Sequence, residues 1–452
     1  MSFIERFRAS LKIPTWWPPE ALQGDASAAA AEAEAALMRF QEFLVENYPV
    51  FHKAAERWVL NHYSVLYRWP GAGGTGKDGD NSAVLLLSHY DVVPAETEKW
   101  SVDPYGAEMK DGFIYGRGSL DMKSTLISIM EAAESLCAAG FRPKRDVWFA
   151  FGGDEERTGH LGAREASRWF AQRGLRFSWL LDEGAVITDN QIKGIDSPLA
   201  LVSIEEKGFL SLDLSVEQEP GHSSRPPKTQ AAAILGRALY RIAGKQFPFK
   251  LVPTVETFFK QVSPLMPGIR GFIMRHARAF GLLFFKLAAD NPVTAAMLRT
   301  TIAMTQLEGS AADNVLPSKV HAVVNLRLLQ PWTVETATDF IKKAIHDKRV
   351  QINIYGSPSN PVPASRSYQH SGWPEMKTAL AEAWPGVPLM PFIMVSATDS
   401  RHYKEITDSI FRFSPHKLDP KEWGGVHGHD ERISEENLYK GLTFFSKLLE
   451  SL

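Results

Sequence analysis

The sequence predicts an α/β sheet protein interrupted by a compact βαββαβ unit, and three observations carry that prediction. Apolar runs at 83–89, 146–153, 178–184 and 199–206 read as strands rich in valine, leucine and aromatics. Amphipathic stretches at 124–140 and 161–174 stand between them, each ending on the glycine that commonly closes a helix. From about Gly208 the texture changes, because "FLSLDLSVEQ" alternates cleanly, as a half-buried antiparallel strand does.

After that strand come, in order, a helix at 229–244, strands at 300–309 and 319–329, a helix at 333–347 and a strand at 350–356. This βαββαβ order is one two-layer unit, ferredoxin-like in its element sequence. Amphipathic helices at 374–386 and 435–452 then return to the first sheet. The expected organisation is a catalytic domain, 1–206 and 357–452, interrupted by a lid or dimerisation domain at 207–356. The lid carries an extra apolar insertion at about 246–299. The alanine-rich "ASAAAAEAEAAL" reads as good helix and nothing more.

Bulk composition narrows the function. A chain of 452 residues, 44% hydrophobic and 23% charged, can bury large cores. Its net charge of -2 gives no sign of a nucleic-acid partner. A single cysteine, Cys137, excludes an internal disulfide framework and a thiolate zinc site, and its helical spacing marks it as packing. The opening residues have scattered charges and no apolar core of a secretory signal, and no run reaches the ~18 apolar residues of a membrane span. A cytoplasmic location is therefore expected.

In open α/β sheets, ligands bind beyond the carboxyl ends of strands. His89 and Asp91 follow the first strand, and Glu155 and Glu156 follow the second. Asp182 and Glu183 follow the third, Asp121 sits at a glycine-supported turn into a helix, and His427 and His429 stand near the end. "GRGSLDMKS" lacks the spacing of a phosphate loop, which argues against a nucleotide. That many anions in one place need a counter-charge, and divalent metal is the economical one.

Imidazole and carboxylate without thiolate suit zinc, or cobalt or manganese in its place, in a catalytic site. Such a set can hold two ions about 3.5–4 Å apart if one carboxylate bridges them. Asp91, two residues beyond His89, is positioned to take the ring's other N–H. Of the glutamate pair, Glu156 is read as a ligand and Glu155 as the general base that activates water.

These residues resemble a known family, the co-catalytic zinc peptidases and amidohydrolases of aminoacylase, carboxypeptidase S and the carnosinases. "SHYDVVP", "GRGSLDMKS", "GGDEERTG", "LLDEG", "PGHSSRP", "ATDSRHY" and "GGVHGHDERIS" follow the family's order over nearly the whole chain. "GFIYGRGSLDMK", "PGHSSRPPK" and "TDSRHY" are closest to the carboxypeptidase S branch, which includes hydrolase-synthases of N-acyl amino acids.

The resemblance implies a zinc-exopeptidase-like catalytic domain with a central, mostly parallel sheet. It also implies that His89, Asp121, Glu156, His427 and one of Asp182 and Glu183 are ligands, with Glu183 preferred. His427 is preferred to His429 because the family's ligand lies four residues before the glutamate, here Glu431. Asp91 then supports His89, and Glu155 is the base. His222 is implied to steady an oxyanion, often from a partner subunit. Asn314 and Arg327 are implied to bind the substrate's polar end, and Thr398, Asp399 and Ser400 to form a substrate loop.

The expected partner is a small molecule, an N-acyl amino acid or short peptide, with a homodimer plausible. Three readings of the insertion remain open: packing that enlarges a dimer contact, a greasy wall for an acyl chain built on Phe284 and Phe285, or shallow membrane contact, the least favoured. Competing functions are a dipeptide-cleaving carboxypeptidase and a metal-binding scaffold without catalysis.

Overall fold

Strands Val84–His89 and Val147–Gly152 are buried at all six positions, the mark of strands covered on both faces. In the computed structural model, which describes residues 1–18, 28–73, 82–189, 194–365 and 368–452, they lie side by side and parallel. They form part of an eight-stranded sheet. Its spatial order is Glu56–Leu60, Ser64–Trp69, Val147–Gly152, Val84–His89, Trp179–Thr188, Ile410–Leu418, Leu199–Glu206, Leu389–Met394. The four strands from Val147–Gly152 to Ile410–Leu418 pair in parallel, and antiparallel pairs flank them. The sheet is thus mixed, with its parallel part at the centre.

The chain divides into two compact units, Met1–Ile204 with Ala364–Phe392 and Thr398–Leu452, and Glu205–Pro363 with Ile393–Ala397. In the first, helix Lys123–Ala138 packs against Glu435–Glu450 and Phe3–Leu11. Glycines 140 and 174, just beyond helices Lys123–Ala138 and Ala163–Gln172, take φ of 76° and 67°, the left-handed closure expected there. Phe40, Phe51, Phe149, Trp179 and Phe411 lie in one buried cluster.

The residues before the first sheet strand also bind the site's scaffold. Trp17 donates its indole N–H to the Gly153 carbonyl at 3.2 Å. Lys123, fully buried, donates to the carbonyls of Ser10 at 3.2 Å and Ile13 at 2.7 Å.

The second unit contains a four-stranded antiparallel sheet, ordered Thr301–Glu308, Lys319–Leu328, Gly208–Glu217, Gln351–Ser359. Leu210, Leu212, Leu214 and Val216 alternate along one strand and join a core with Ile234 and Leu235 of helix Ala231–Gly244 and Ile341 of helix Val334–Ile345. Between that first helix and Thr301–Glu308 the insertion forms four short helices, Pro253–Val262, Gly268–Arg275, Ala277–Ala288 and Pro292–Leu298.

Phe284 is completely buried, its ring edge-on to Phe259 at 5.0 Å, and Phe285 stacks on Phe249 at 5.4 Å. Phe284 therefore packs within the insertion. Among the described residues no helix is long and apolar enough to cross a membrane.

Candidate metal centre

His89 ends strand Val84–His89 with its ring 1% exposed. Its Nδ1 lies 3.0 Å from the backbone carbonyl of Asp91 and 3.5 Å from that residue's carboxylate. A carbonyl only accepts, so in the neutral ring Nδ1 bears the proton and Nε2 turns its lone pair outward. Asp91 thus orients the ring chiefly through its main chain.

The Asp91 carboxylate has another task. Its two oxygens accept the backbone N–H groups of Glu155 and Glu156, each at 3.1 Å. Those glutamates begin a single 3₁₀ turn, Glu155–Arg157, directly beyond strand Val147–Gly152 and its glycine-rich exit. At three residues per turn, neighbouring side chains diverge by about 120°. Two adjacent carboxylates can therefore serve two different places.

They do so. His89, Glu155 and Glu183 form one group of facing donor atoms, and Asp121, Glu156 and His427 form a second. His89 Nε2 lies 3.0 Å from Asp121 Oδ1 and 3.4 Å from Glu183 Oε1. His427 Nε2 lies 3.1 Å from Asp121 Oδ2 and 3.1 Å from Glu156 Oε1. Asp121 thus offers one oxygen to each imidazole, the arrangement of a carboxylate shared between two groups.

Asp121 is held from behind by Glu431, a completely buried residue that the sequence reading used only as a marker. Glu431 accepts from the backbone N–H of Gly118 at 3.0 Å, Leu120 at 2.7 Å and Asp121 at 3.1 Å. The buried Arg117 guanidinium donates to it at 2.8 Å. Asp154 does similar work for the glutamate loop, accepting from Leu161 N at 2.8 Å and Gly162 N at 2.9 Å. Single acids amid loops carry no periodic signal, which is why neither stood out as a scaffold residue.

Asp182 and Glu183 separate cleanly. Glu183 faces His89, whereas Asp182 accepts its own neighbour's N–H at 2.9 Å and that of Ser400 at 2.8 Å, and it belongs to neither group. Thr398 and Ser400 share a 2.6 Å hydroxyl hydrogen bond, and Asp399 is buried beside them. In the second unit, strand Gly221–His222 pairs with Val315–Leu316, which brings His222 close to Asn314. The His222 ring accepts from Ser224 N at 3.1 Å, and the Asn314 carbonyl accepts from Ser223 N at 3.0 Å. Arg327 lies over the Phe209 ring at 4.8 Å. His429 belongs to neither donor group.

Electrostatics describe a site overloaded with negative charge. Burial, reinforced by Glu183, lifts the Glu155 carboxyl well above its usual range. Burial and the Asp121 charge push Glu183 up to about 8. Hydrogen bonds to Asp121 and Glu156 push His427 up to about 10. Burial opposes ionisation of Asp121 too, yet hydrogen bonds and charge from His427 and His89, when both rings are protonated, hold it well below the usual range. Four carboxylates and two imidazoles, all hard or borderline donors, converge where cations are needed. This donor set fits two divalent ions of the zinc, cobalt or manganese kind.

An α/β sheet delivering two such groups from its strand ends and loops defines a metal-dependent hydrolase with a two-ion centre. The chain belongs to Peptidase family M20/M25/M40, whose model matches residues 85–451. It is 33% identical over 452 residues to the Xenopus tropicalis N-fatty-acyl-amino acid synthase/hydrolase PM20D1, covering 99% of this chain and 85% of that one. It is 31% identical over 421 residues to Probable carboxypeptidase S-like 2 of Dictyostelium discoideum, covering 92% and 80%. Its fold matches the metallo-carboxypeptidase Sso-CP2 of Sulfolobus solfataricus with a TM-score of 0.74 at 16% identity, covering 100% and 99% of the two chains. It also matches human carnosine dipeptidase 1 with a TM-score of 0.68 at 15% identity, covering 99% and 95%.

Proposed function

We propose that the protein hydrolyses, or reversibly forms, the amide of an N-acyl amino acid, acting beside a free carboxylate. The observation that carries the chemistry is Glu155, half-buried and grouped with His89 and Glu183, its backbone N–H held by the Asp91 carboxylate and its carboxyl raised in pKa. A general base works best when its pKa is brought toward the working pH. The substrate class is supported by similarity to N-fatty-acyl-amino acid synthase/hydrolases along almost the full chain.

In this reading His89, Glu183, Asp121, Glu156 and His427 would hold the two ions. When bound, the ions supply Lewis acidity, polarising a carbonyl and making water more acidic. Glu155 takes the proton of the attacking water at its carboxylate and later delivers it to the leaving nitrogen. Asp91 keeps the His89 ring and the Glu155 backbone in register. Thr398, Asp399 and Ser400 form a substrate loop. His222 steadies the oxyanion, while Asn314 and Arg327, the latter as a bidentate fork, bind the substrate's polar end.

The same reading divides the chain into a catalytic domain, 1–206 and 357–452, and a lid at 207–356 that serves a homodimer. The experiment that tests it compares N-lauroyl-Phe, N-acetyl-Phe and a blocked dipeptide. N-lauroyl-Phe is expected to give the highest kcat/KM, by at least about tenfold, since each buried methylene contributes ~0.8 kcal/mol. A dipeptide turned over fastest would replace this reading with a carboxypeptidase. Two ions per chain without turnover of any of the three would leave a metal-binding scaffold.

Chelation supplies a second check. Dialysis against a chelator should abolish hydrolysis, and zinc, cobalt or manganese should restore it. Thermal stability should fall alongside, because a ligand at a hundredfold its Kd contributes about 2.7 kcal/mol to the folded state. Full activity in a sample shown by elemental analysis to lack transition ions would refute the two-ion assignment.

A further inference from the structure

The insertion presents an exposed apolar face that the proposed reaction does not use. Leu265, Ile269, Phe272, Phe280, Leu282 and Leu283 stand 40%, 74%, 51%, 36%, 87% and 45% exposed. They belong to the end of a 3₁₀ turn and to helices Gly268–Arg275 and Ala277–Ala288. The Phe272 and Phe280 rings meet at 5.7 Å, so the two helices share one surface. At Gly281, φ 37° and ψ -105° break the second helix, and the two leucines that follow project from the break. Six large apolar side chains gathered in 19 residues, 265–283, make a patch rather than scattered surface leucines.

Charge shows what such a patch would meet. Over 257–289 the chain carries Lys260, Arg270, Arg275, Arg278 and Lys286 and no aspartate or glutamate. The acid just before this run, Glu256, is engaged by Lys260 at 2.9 Å and Arg278 at 2.6 Å. An apolar face set among cations, with acids only at its flanks in Glu256 and Asp290, is complementary to a surface with an apolar interior and an anionic rim. A second copy of the same face would bring cation against cation. An acyl chain would match the apolar part and leave the cationic residues unexplained.

We propose that helices Gly268–Arg275 and Ala277–Ala288 form a docking surface for an anionic lipid bilayer. Neither helix, at 8 and 12 residues, can span a bilayer, so the contact is interfacial. The leucines after Gly281 enter the headgroup–acyl boundary while Arg275 and Lys286 meet lipid phosphates. The surface shares no residue with the metal centre, and its test does not depend on which substrate is cleaved.

The full chain, with its ions, is sedimented with vesicles of phosphatidylcholine alone and with added phosphatidylglycerol. Anionic vesicles are expected to bind at least about tenfold more tightly, with binding lost in high salt. The variants F272S/L282S and R275E/K286E should each lose about tenfold or more in vesicle affinity while hydrolysing a soluble N-acetyl substrate normally. In L282W, an unstrained change at a position 87% exposed, indole fluorescence should shift to the blue and be quenched by brominated lipid. No binding of the unaltered chain, or equal binding to both vesicle types, overturns the proposal. So does F272S/L282S dissociating a dimer in light scattering without any vesicle binding by the parent, which makes the face a contact between copies. Selective loss of long-chain turnover in that variant, again without vesicle binding, makes it an acyl site.

Discussion

Glu155→Gln is expected to lower kcat by about 10²–10⁴-fold, the usual contribution of a positioned general base, while both ions stay bound. The amide keeps the shape of the side chain and the backbone N–H that Asp91 accepts at 3.1 Å, so the turn should stand. What it loses is the ability to take a proton. Because Glu155 shares a donor group with His89 and Glu183, the same variant separates two roles for it. Elemental analysis showing two ions per chain, with KM little changed, marks a base. Loss of one ion marks a ligand, and near-normal turnover would remove Glu155 from the mechanism.

Glu431→Ala should be among the most destabilising single changes in the molecule. It removes the acceptor of three backbone N–H groups and takes the carboxylate from the buried Arg117 guanidinium, which keeps the Gly428 carbonyl. Breaking a buried ion pair from one side costs about 3–5 kcal/mol. Denaturant unfolding should show this loss as a lower midpoint. Glu431→Gln keeps the volume and one acceptor oxygen, so it should fold, and there the positioning role becomes visible. Its ion affinity should fall about 10–100-fold, the scale seen when groups supporting metal ligands are removed. If Glu431→Gln binds metal as tightly as the parent, Glu431 stabilises the loop without tuning Asp121.

Much of this architecture is legible in the sequence, for identifiable reasons. Buried sheet strands are short runs of Val, Leu and aromatics, and four were readable by that signature alone, three of them parallel and Leu199–Glu206 antiparallel. The second unit was readable because period-two and period-3.6 patterns succeed each other in one order. Two of the strands that escaped carry prolines. Leu389–Met394 contains Pro391 and lies at the sheet's edge, where a missing N–H matters least. Ile410–Leu418 contains Pro415, and its pairing register slips between Phe413 and Lys417 on either side of it.

The hairpin Glu56–Leu60 to Ser64–Trp69 escaped for another reason. Its turn is built on Asn61 and His62 at φ of 50° and 65° rather than on a glycine. At the candidate site, residue types at strand ends were enough to suspect a metal, since a carboxylate's chemistry shows in its name. Which carboxylate faces inward does not: Glu183 stands in a donor group, whereas Asp182 accepts from the Ser400 amide.

The bond pattern of Asp91 has a wider consequence. One carboxylate fastens two consecutive amides beyond a neighbouring strand, and the same residue's carbonyl fixes the imidazole that ends its own strand. Acid, base and ring therefore form a single linkage with few independent hinges, so a disturbance at any one member travels to the rest. Variation in such an enzyme would be driven outward, into loops and surfaces that choose the substrate, while this small mechanism is inherited whole.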